Sequence, residues 1–406
     1  MRLLIFFKTV ATYLGLLVLP VNLHMSRNVI LPHSFFDLPV LSSFLLFLVI
    51  LFFTFRCYRR APLIFFTSTW FFILLLPQAG LFPQNAFLAE HFLYLPSLGF
   101  FLLVSYSLLK LFSKKTLVFI LIPILAAYGF LTIKRNREWR KPVSFYEKMV
   151  RLSPLSFAGH NNLGVLYEQN KLYDKAIKEY KIATIIKEDF LEAYTNMARA
   201  HYKKGEQDKA IGLYLDLIKH YPNCDFAYGG LAAIYAENKE YQKAIERYRQ
   251  AINISGHQAK FYNHLGLIYN EISEFDLAVE EFKKAIAIDN KDPILHNNLG
   301  VVYKEKGWLE LAVSEYFKAL RINPDFAQTH NNLGIVYSKV GQYDQAESYL
   351  ERAIQIDPDY AEAYYNLGVV YWETGEWDKS RSHWEKVLKL EPGHQLAREW
   401  LKRTAN

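Results

Sequence analysis

A chain of 406 residues that is 51% hydrophobic, 16% aromatic and 21% charged has room for more than one domain and is too apolar to be intrinsically disordered. Its two cysteines exclude a disulfide-stapled scaffold. The formal net charge of +7 is unevenly placed: residues 1–150 hold 15 Lys and Arg against 4 Asp and Glu, and the rest hold 32 against 36, which leaves no basic stripe for nucleic acid in the second part.

The first apolar run, about 3–22, carries Lys8 and predicts a transmembrane or interfacial helix. Four more follow at about 39–55, 61–77, 92–112 and 116–133. Each approaches the ~20 residues that cross a hydrocarbon core. Arg56, Arg59 and Arg60 share one connection, and Lys110, Lys114 and Lys115 crowd another, while the intervening segment 78–91 has no Lys or Arg. The positive-inside rule puts both basic connections in the cytoplasm. Four or five crossings over residues 1–133 then deliver the rest of the chain to the exoplasmic side, either periplasm or cell exterior, or reticulum lumen. A basic exit follows, with Lys134, Arg135, Arg137, Arg140 and Lys141 in the connector 134–156. Arg135, Arg137 and Arg140, with His91 on the outer side, are the candidates for lipid phosphate.

From residue 157 the chain repeats. Gly164, Ala198, Ala232, Gly266, Gly300, Gly334 and Gly368 recur every 34 residues without an insertion. Sixteen residues after each stands Tyr180, Tyr214, Tyr248, Phe282, Tyr316, Leu350 and Trp384. Leu and Tyr positions fall at i, i+3 and i+4, so each unit reads as two amphipathic helices. Gly205, Gly307, Gly341 and Gly375 sit at the turn between them, where Lys171, Lys239 and Ser273 stand in the other units. This pattern over 157–394 resembles the tetratricopeptide repeat, a helix-turn-helix unit that stacks into a solenoid. Seven repeats are expected, with a half-repeat cap around Tyr146 and Met149 and a C-terminal capping helix in 395–406. The fold class is therefore all-α: polytopic transmembrane helices followed by a tetratricopeptide α-solenoid.

Two residues before the small position stand Asn162, Asn196, Gly230, His264, Asn298, Asn332 and Asn366. A row of amides on the first helices both donates and accepts, and it suits an extended peptide or protein partner. It resembles the asparagine ladder in the repeats of the nucleocytoplasmic O-GlcNAc transferase. The same amides equally serve local helix or turn groups, and both readings stand on these residues alone. The gap at Gly230 and His264 divides the row into two binding stretches. His160, His296 and His330 recur a whole hairpin apart, about 10 Å, too far to share a zinc ion. No metal or cofactor is expected, since no phosphate loop, dinucleotide fingerprint or nucleophile elbow occurs.

The stretch Ala89-Glu90-His91-Phe92-Leu93-Tyr94-Leu95-Pro96-Ser97-Leu98-Gly99-Phe100 resembles a segment of the transmembrane-and-tetratricopeptide (TMTC) proteins, and Arg137-Glu138-Trp139-Arg140 resembles their exit into the repeats. The resemblance implies a protein O-mannosyltransferase architecture, a polyprenyl-phosphate sugar donor and a groove that presents protein substrate. It also implies an acidic catalytic loop upstream of the present residue 1, so the chain reads as an N-terminally truncated member. His91 stands where that family carries Arg. Before the last crossing the acidic residues are Asp37 and Glu90. In a self-contained enzyme one of them deprotonates the acceptor hydroxyl.

Overall fold

The computed structural model describes residues 2–18, 38–75 and 94–403. They are all-α, with 21 helices among the described residues. The chain divides into two compact units, residues 1–210 and 211–406.

In the first unit come α1 (Arg2–Val18), α2 (Leu38–Cys57), α3 (Pro62–Leu75), α4 (Tyr94–Leu111), α5 (Lys114–Trp139) and α6 (Pro142–Leu152). The first pair of hairpin helices follows as α7 (Phe157–Gln169) and α8 (Tyr173–Ile186), then α9 (Leu191–Lys203), and α10 (Gln207–His220) begins at the end of this unit and lies mostly in the next. Phe6 and Phe7 of α1 meet Phe44 and Phe47 of α2 edge to face, with ring centroids 4.9–5.7 Å apart. Gly99 lets α4 approach α3 closely: a Cβ there would come 2.6 Å from the Thr67 carbonyl oxygen. Hydroxyls within these apolar helices donate back along the chain, Thr54 to the Ile50 carbonyl at 2.8 Å and Thr69 to the Phe65 carbonyl at 2.7 Å.

Among the described residues, one helix is long and apolar enough to cross a membrane: Val40–Cys57, with mean hydropathy 2.3 and 11% of its length buried. Pro62–Leu74, Ser97–Leu111 and Lys115–Ala127 are shorter apolar stretches. The expectation of four or five crossings thus has one helix of full length behind it.

The second unit continues with α11 (Asp225–Glu237), α12 (Tyr241–Ile254), α13 (Ala259–Glu271), α14 (Phe275–Ile288), α15 (Pro293–Glu305) and α16 (Leu309–Ile322). Then come α17 (Ala327–Lys339), α18 (Tyr343–Ile356), α19 (Ala361–Glu373), α20 (Trp377–Leu390) and α21 (Gln395–Arg403). The 34-residue ladder has a steric origin. A Cβ on Gly300 would lie 2.5 Å from the Tyr316 ring, and one on Gly334 would lie 2.5 Å from Leu350. Gly164 meets Tyr180 in the same way, and Gly368 meets Trp384. The residue sixteen positions on fills the space that a side chain at the small position would need. Tyr180, Phe282, Tyr316, Leu350 and Trp384 are all fully buried there.

The turns between paired helices need a left-handed residue. Gly205, Gly307, Gly341 and Gly375 adopt φ of 74–91°, and Lys171, Lys239 and Ser273 adopt φ of 60–62° in the same role. A β-carbon in that region costs about 1–2 kcal/mol. Lys239→Gly is therefore expected to raise the stability of the second unit by about 0.5–1 kcal/mol after the entropy cost of glycine is subtracted, as read by urea denaturation.

Candidate functional site

The amide row sits on the first helix of each pair, and its geometry is set between repeats. The Asn298 amide Nδ2 donates to Asn263 Oδ1 at 3.0 Å, Asn332 Nδ2 to Asn297 Oδ1 at 3.0 Å, and Asn366 Nδ2 to Asn331 Oδ1 at 2.9 Å. In the first unit Asn196 Nδ2 donates to Asn161 Oδ1 at 3.0 Å. Each bond runs from one first helix to the residue 35 positions earlier on the preceding one. Asn162 instead reaches the Tyr146 hydroxyl of α6 at 3.4 Å. Sequence reasoning named only the donors; the acceptors Asn161, Asn263, Asn297 and Asn331 were its omission.

Burial orders the row. Asn161, Asn297 and Asn331 are buried at 1–2% exposure, and Asn196 and Asn332 at 6%. Asn298 and Asn366 are half-buried and Asn162 is exposed. Asn297 Oδ1 also accepts from the Thr329 hydroxyl at 2.9 Å. Asn161, Asn297 and Asn331 thus form a buried rail, and the acceptor Asn263 is half-buried. Asn298 and Asn366 bridge the rail to the surface, while Asn196 and Asn332 stay buried, and each of these amides has one further hydrogen and one carbonyl oxygen beyond this bond.

Beside the donors runs an apolar strip. Leu267, Val301, Ile335 and Val369 each immediately follow the small position. Val301 is three residues beyond Asn298, and Ile335 three beyond Asn332, so each lies on the same helix face as its amide. Leu267 is 41% exposed, and the other three are half-buried. The strip therefore lines the surface next to the row.

The gap at Gly230 and His264 has a packing cause. A Cβ on Gly230 would lie 2.4 Å from the Tyr214 ring, and one on Gly229 would lie 2.5 Å from the Phe261 ring. The His264 ring stacks on Tyr248 with centroids 5.4 Å apart and planes at 12°. Aromatic rings occupy the space where amides stand in other repeats.

The recurrent histidines tie their first helices to neighbouring elements. His160 Nδ1 lies 2.6 Å from Glu179 Oε2, and its Nε2 donates to the Pro154 carbonyl at 3.0 Å. Both partners accept, which favours the protonated ring. Burial lowers its pKa, but the Glu179 carboxylate and the Pro154 carbonyl outweigh that, and the net shift is upward from 6.5. His296 meets Glu315 at 2.7 Å in the same way. His330 has Tyr349 in that place, with ring centroids 6.0 Å apart, and its Nε2 donates to the Pro324 carbonyl at 2.9 Å. Its buried Nδ1 has no hydrogen-bond partner. Burial carries its pKa below 6.5.

The two signs predict opposite acid responses. Stability from His160 is complete below pH 6.5 and is lost as pH rises through its raised folded value. Stability from His330 is complete above pH 6.5 and is lost as pH falls through its lowered value. On acidification through this window, hydrogen exchange is expected to slow in α7 and to quicken in α17. His160→Gln and His330→Gln should each abolish one of the two trends.

Glu168 forms a second polar centre in the first unit. It is 6% exposed, and its carboxylate accepts from Arg199 Nε at 2.9 Å and Nη2 at 3.1 Å, from Lys203 at 3.0 Å and from the Tyr180 hydroxyl at 2.9 Å. Burial opposes its charge, but these donors hold the carboxyl below the usual range. Every partner donates to a carboxylate that is fully occupied, so the centre is structural. Among the described residues no group of His, Cys, Asp and Glu is arranged to hold a metal ion.

Asp37, Glu90 and His91 lie outside the described residues. Arg135 and Arg137 fall in the last turns of α5, and Arg140, just after it, is exposed.

Tetratricopeptide-repeat profiles match residues 158–189, 192–223, 232–341 and 325–391. Among curated relatives, the protein O-mannosyl-transferase TMTC3 of Mus musculus is 26% identical over 145 residues, covering 34% of this chain and 16% of that protein. The protein O-mannosyl-transferase Tmtc2 of Drosophila melanogaster is 30% identical over 150 residues, covering 36% of this chain and 15% of that protein. The chain thus spans a minor part of the relatives it matches. Among solved structures, the APC/C hetero-tetramer Cut9–Hcn1 shares the fold with a TM-score of 0.53 at 20% identity, over 65% of this chain and 52% of that one. Residues 158–391 are therefore a tetratricopeptide-repeat domain, and the chain is a tetratricopeptide-repeat protein with relatives among the protein O-mannosyl-transferases.

Proposed function

We propose that this chain is a membrane-anchored arm that captures extended polypeptide along its first helices and presents it for O-linked sugar transfer. The observation that carries the reading is the pre-set amide row with its adjoining aliphatic strip. Asn298, Asn332 and Asn366 are locked in rotamer by their bonds to the preceding repeat, so they bind without paying the full ordering entropy. Helices that pack at the usual ~8–10 Å spacing place one rung every three residues of an extended chain, which advances ~3.3 Å per residue. Backbone groups then meet the amides, and one side chain per rung meets Leu267, Val301, Ile335 or Val369.

The relatives named as protein O-mannosyl-transferases support the link to glycosylation. In this reading the sugar arrives on a polyprenyl phosphate, and the reacting carboxylates lie outside the described residues, at Asp37 or Glu90 or on a segment supplied from elsewhere. A second reading, in which the chain itself transfers sugar, rests on the same relatives. It requires loss of transfer by the purified chain in Asp37→Asn or Glu90→Gln, and retained transfer in both would remove it.

Anchoring and sidedness are tested together. Asn253-Ile254-Ser255 is an acceptor sequence for N-glycans, and Asn253 is exposed. Translation into microsomes should add one glycan at Asn253 that endoglycosidase removes and Asn253→Gln prevents. An unglycosylated, protease-sensitive repeat domain would place the repeats on the cytoplasmic side.

A further inference from the structure

The short helix α6 has two faces. Phe145 and Met149 are buried, and Met149 packs against Gly159 of α7, where a Cβ would come 2.6 Å from its Cε. Glu147 is drawn inward as well, because the Tyr167 hydroxyl donates to it at 2.7 Å. The opposite face carries Ser144, Lys148 and Arg151 at i, i+4 and i+7, preceded by exposed Arg140 and Lys141. Leu152 and Leu155 extend it, at 43% and 69% exposure. Leu155 is held out rigidly. The Pro154 carbonyl beside it accepts from His160, and the Ser156 hydroxyl caps α7 by accepting from the Gly159 amide at 3.2 Å.

The place of this face in the chain identifies its partner. The apolar part of α5 leaves Phe119, Ile122, Ile124, Leu125, Phe130 and Ile133 exposed around its circumference, the pattern of a helix with lipid on all sides. From Ile133 to the end of α5 the helix rises only about 9 Å, close to the depth of a headgroup layer. Pro142 starts α6 three residues later, so with α5 in the bilayer α6 begins at the level of the headgroups.

We propose that the outer face of α6, with Leu152 and Leu155, is a foot that seats the first repeat on an anionic bilayer surface. Arg140, Lys141 and Arg151 meet lipid phosphates, and the two leucines enter the interface between them. The proposal rests on the membrane-anchored reading of the chain and adds an orientation: the solenoid leaves the bilayer docked, with its first repeat against lipid.

The test uses the full chain with Cys57→Ser and Cys224→Ala and an environment-sensitive dye on Leu155→Cys. It is reconstituted in vesicles of brominated phosphatidylcholine with or without phosphatidylglycerol. The dye should be quenched severalfold more strongly with phosphatidylglycerol. Added salt should reverse that gain, and so should Arg140→Glu/Lys141→Glu/Arg151→Glu. A dye that remains water-exposed in both lipids overturns the proposal, as does quenching that ignores lipid charge and salt. If the triple variant misfolds, the salt titration of the labelled chain decides alone. Alkaline carbonate extraction separates the two readings: a chain that stays embedded with an unquenched dye loses only the foot, whereas a chain that washes off loses the anchor.

Discussion

Asn298→Ala/Asn332→Ala/Asn366→Ala is expected to weaken capture of an extended peptide by at least about tenfold, or ~1.4 kcal/mol. Each rung offers a bond of about 0.5–1.5 kcal/mol net, so three rungs reach that figure at the low end of the range. The substitution has a second consequence. It removes the donors to Asn263, Asn297 and Asn331, and of these Asn297 and Asn331 are buried at 1% exposure. Asn297 keeps its bond from the Thr329 hydroxyl, but Asn331 is left as an unsatisfied buried acceptor at a cost of about 1–3 kcal/mol, so the triple variant also melts earlier. The two effects are separable. Val301→Ser/Ile335→Ser leaves every amide bond in place and removes half-buried apolar surface, part of which packs on the core at Val301, so it should reduce peptide affinity severalfold with a smaller loss of stability than the amide variant. Fluorescence anisotropy and thermal denaturation, run on both variants, distinguish a binding row from a purely structural staple.

Trp384→Ala is expected to destabilise the C-terminal end of the solenoid by about 3–5 kcal/mol. Trp384 is fully buried, fills the space over Gly368, and stacks on Trp400 of the terminal helix with centroids 5.2 Å apart. Its indole nitrogen donates to the Tyr365 carbonyl at 3.2 Å. Trp372 closes the same cluster against Trp400 at 5.3 Å. Loss of Trp384 opens a cavity that neither Trp372 nor Trp400 fills, and α21 loses its seat. Hydrogen exchange should show α19 to α21 opening together, while α13 to α16 keep their protection. Uniform loss across the second unit would mean that the end repeats fold only with the middle ones.

Much of the solenoid is legible in the sequence because its determinants lie within one period. The small position and the residue sixteen later are a contact inside one hairpin, so a 34-residue count finds both. The features that escaped cross from one repeat to the next. Asn298 pairs with Asn263, not with the adjacent Asn297, and only the offset of 35 residues reveals the rail. The doubled amides in Asn161-Asn162, Asn297-Asn298 and Asn331-Asn332 were the available signal. The gap at Gly230 and His264 reads as a break between binding stretches, whereas the rings of Tyr214 and Tyr248 pack there against Gly230 and His264. Lys171, Lys239 and Ser273 look like substitutes for glycine, yet each adopts the glycine conformation and carries its strain. The apolar strip at Leu267, Val301, Ile335 and Val369 is also periodic, but aliphatic residues at helical spacing read first as core.

The membrane part is less legible in physical terms. Hydropathy marks apolar runs without saying which residues of each form one continuous helix. The run at 39–55 coincides with the full-length span Val40–Cys57, while those at 61–77 and 92–112 contain shorter helices among the described residues.

The central claim is that the first-helix face of the second unit binds extended polypeptide. Its most direct test is anisotropy of a fluorophore-labelled pool of unstructured peptides titrated with the full chain and with Val301→Ser/Ile335→Ser. The account predicts saturable binding by the parent chain and severalfold weaker binding by the variant, with only a small drop in melting temperature. Equal binding by the two proteins, or none by the parent, would contradict it.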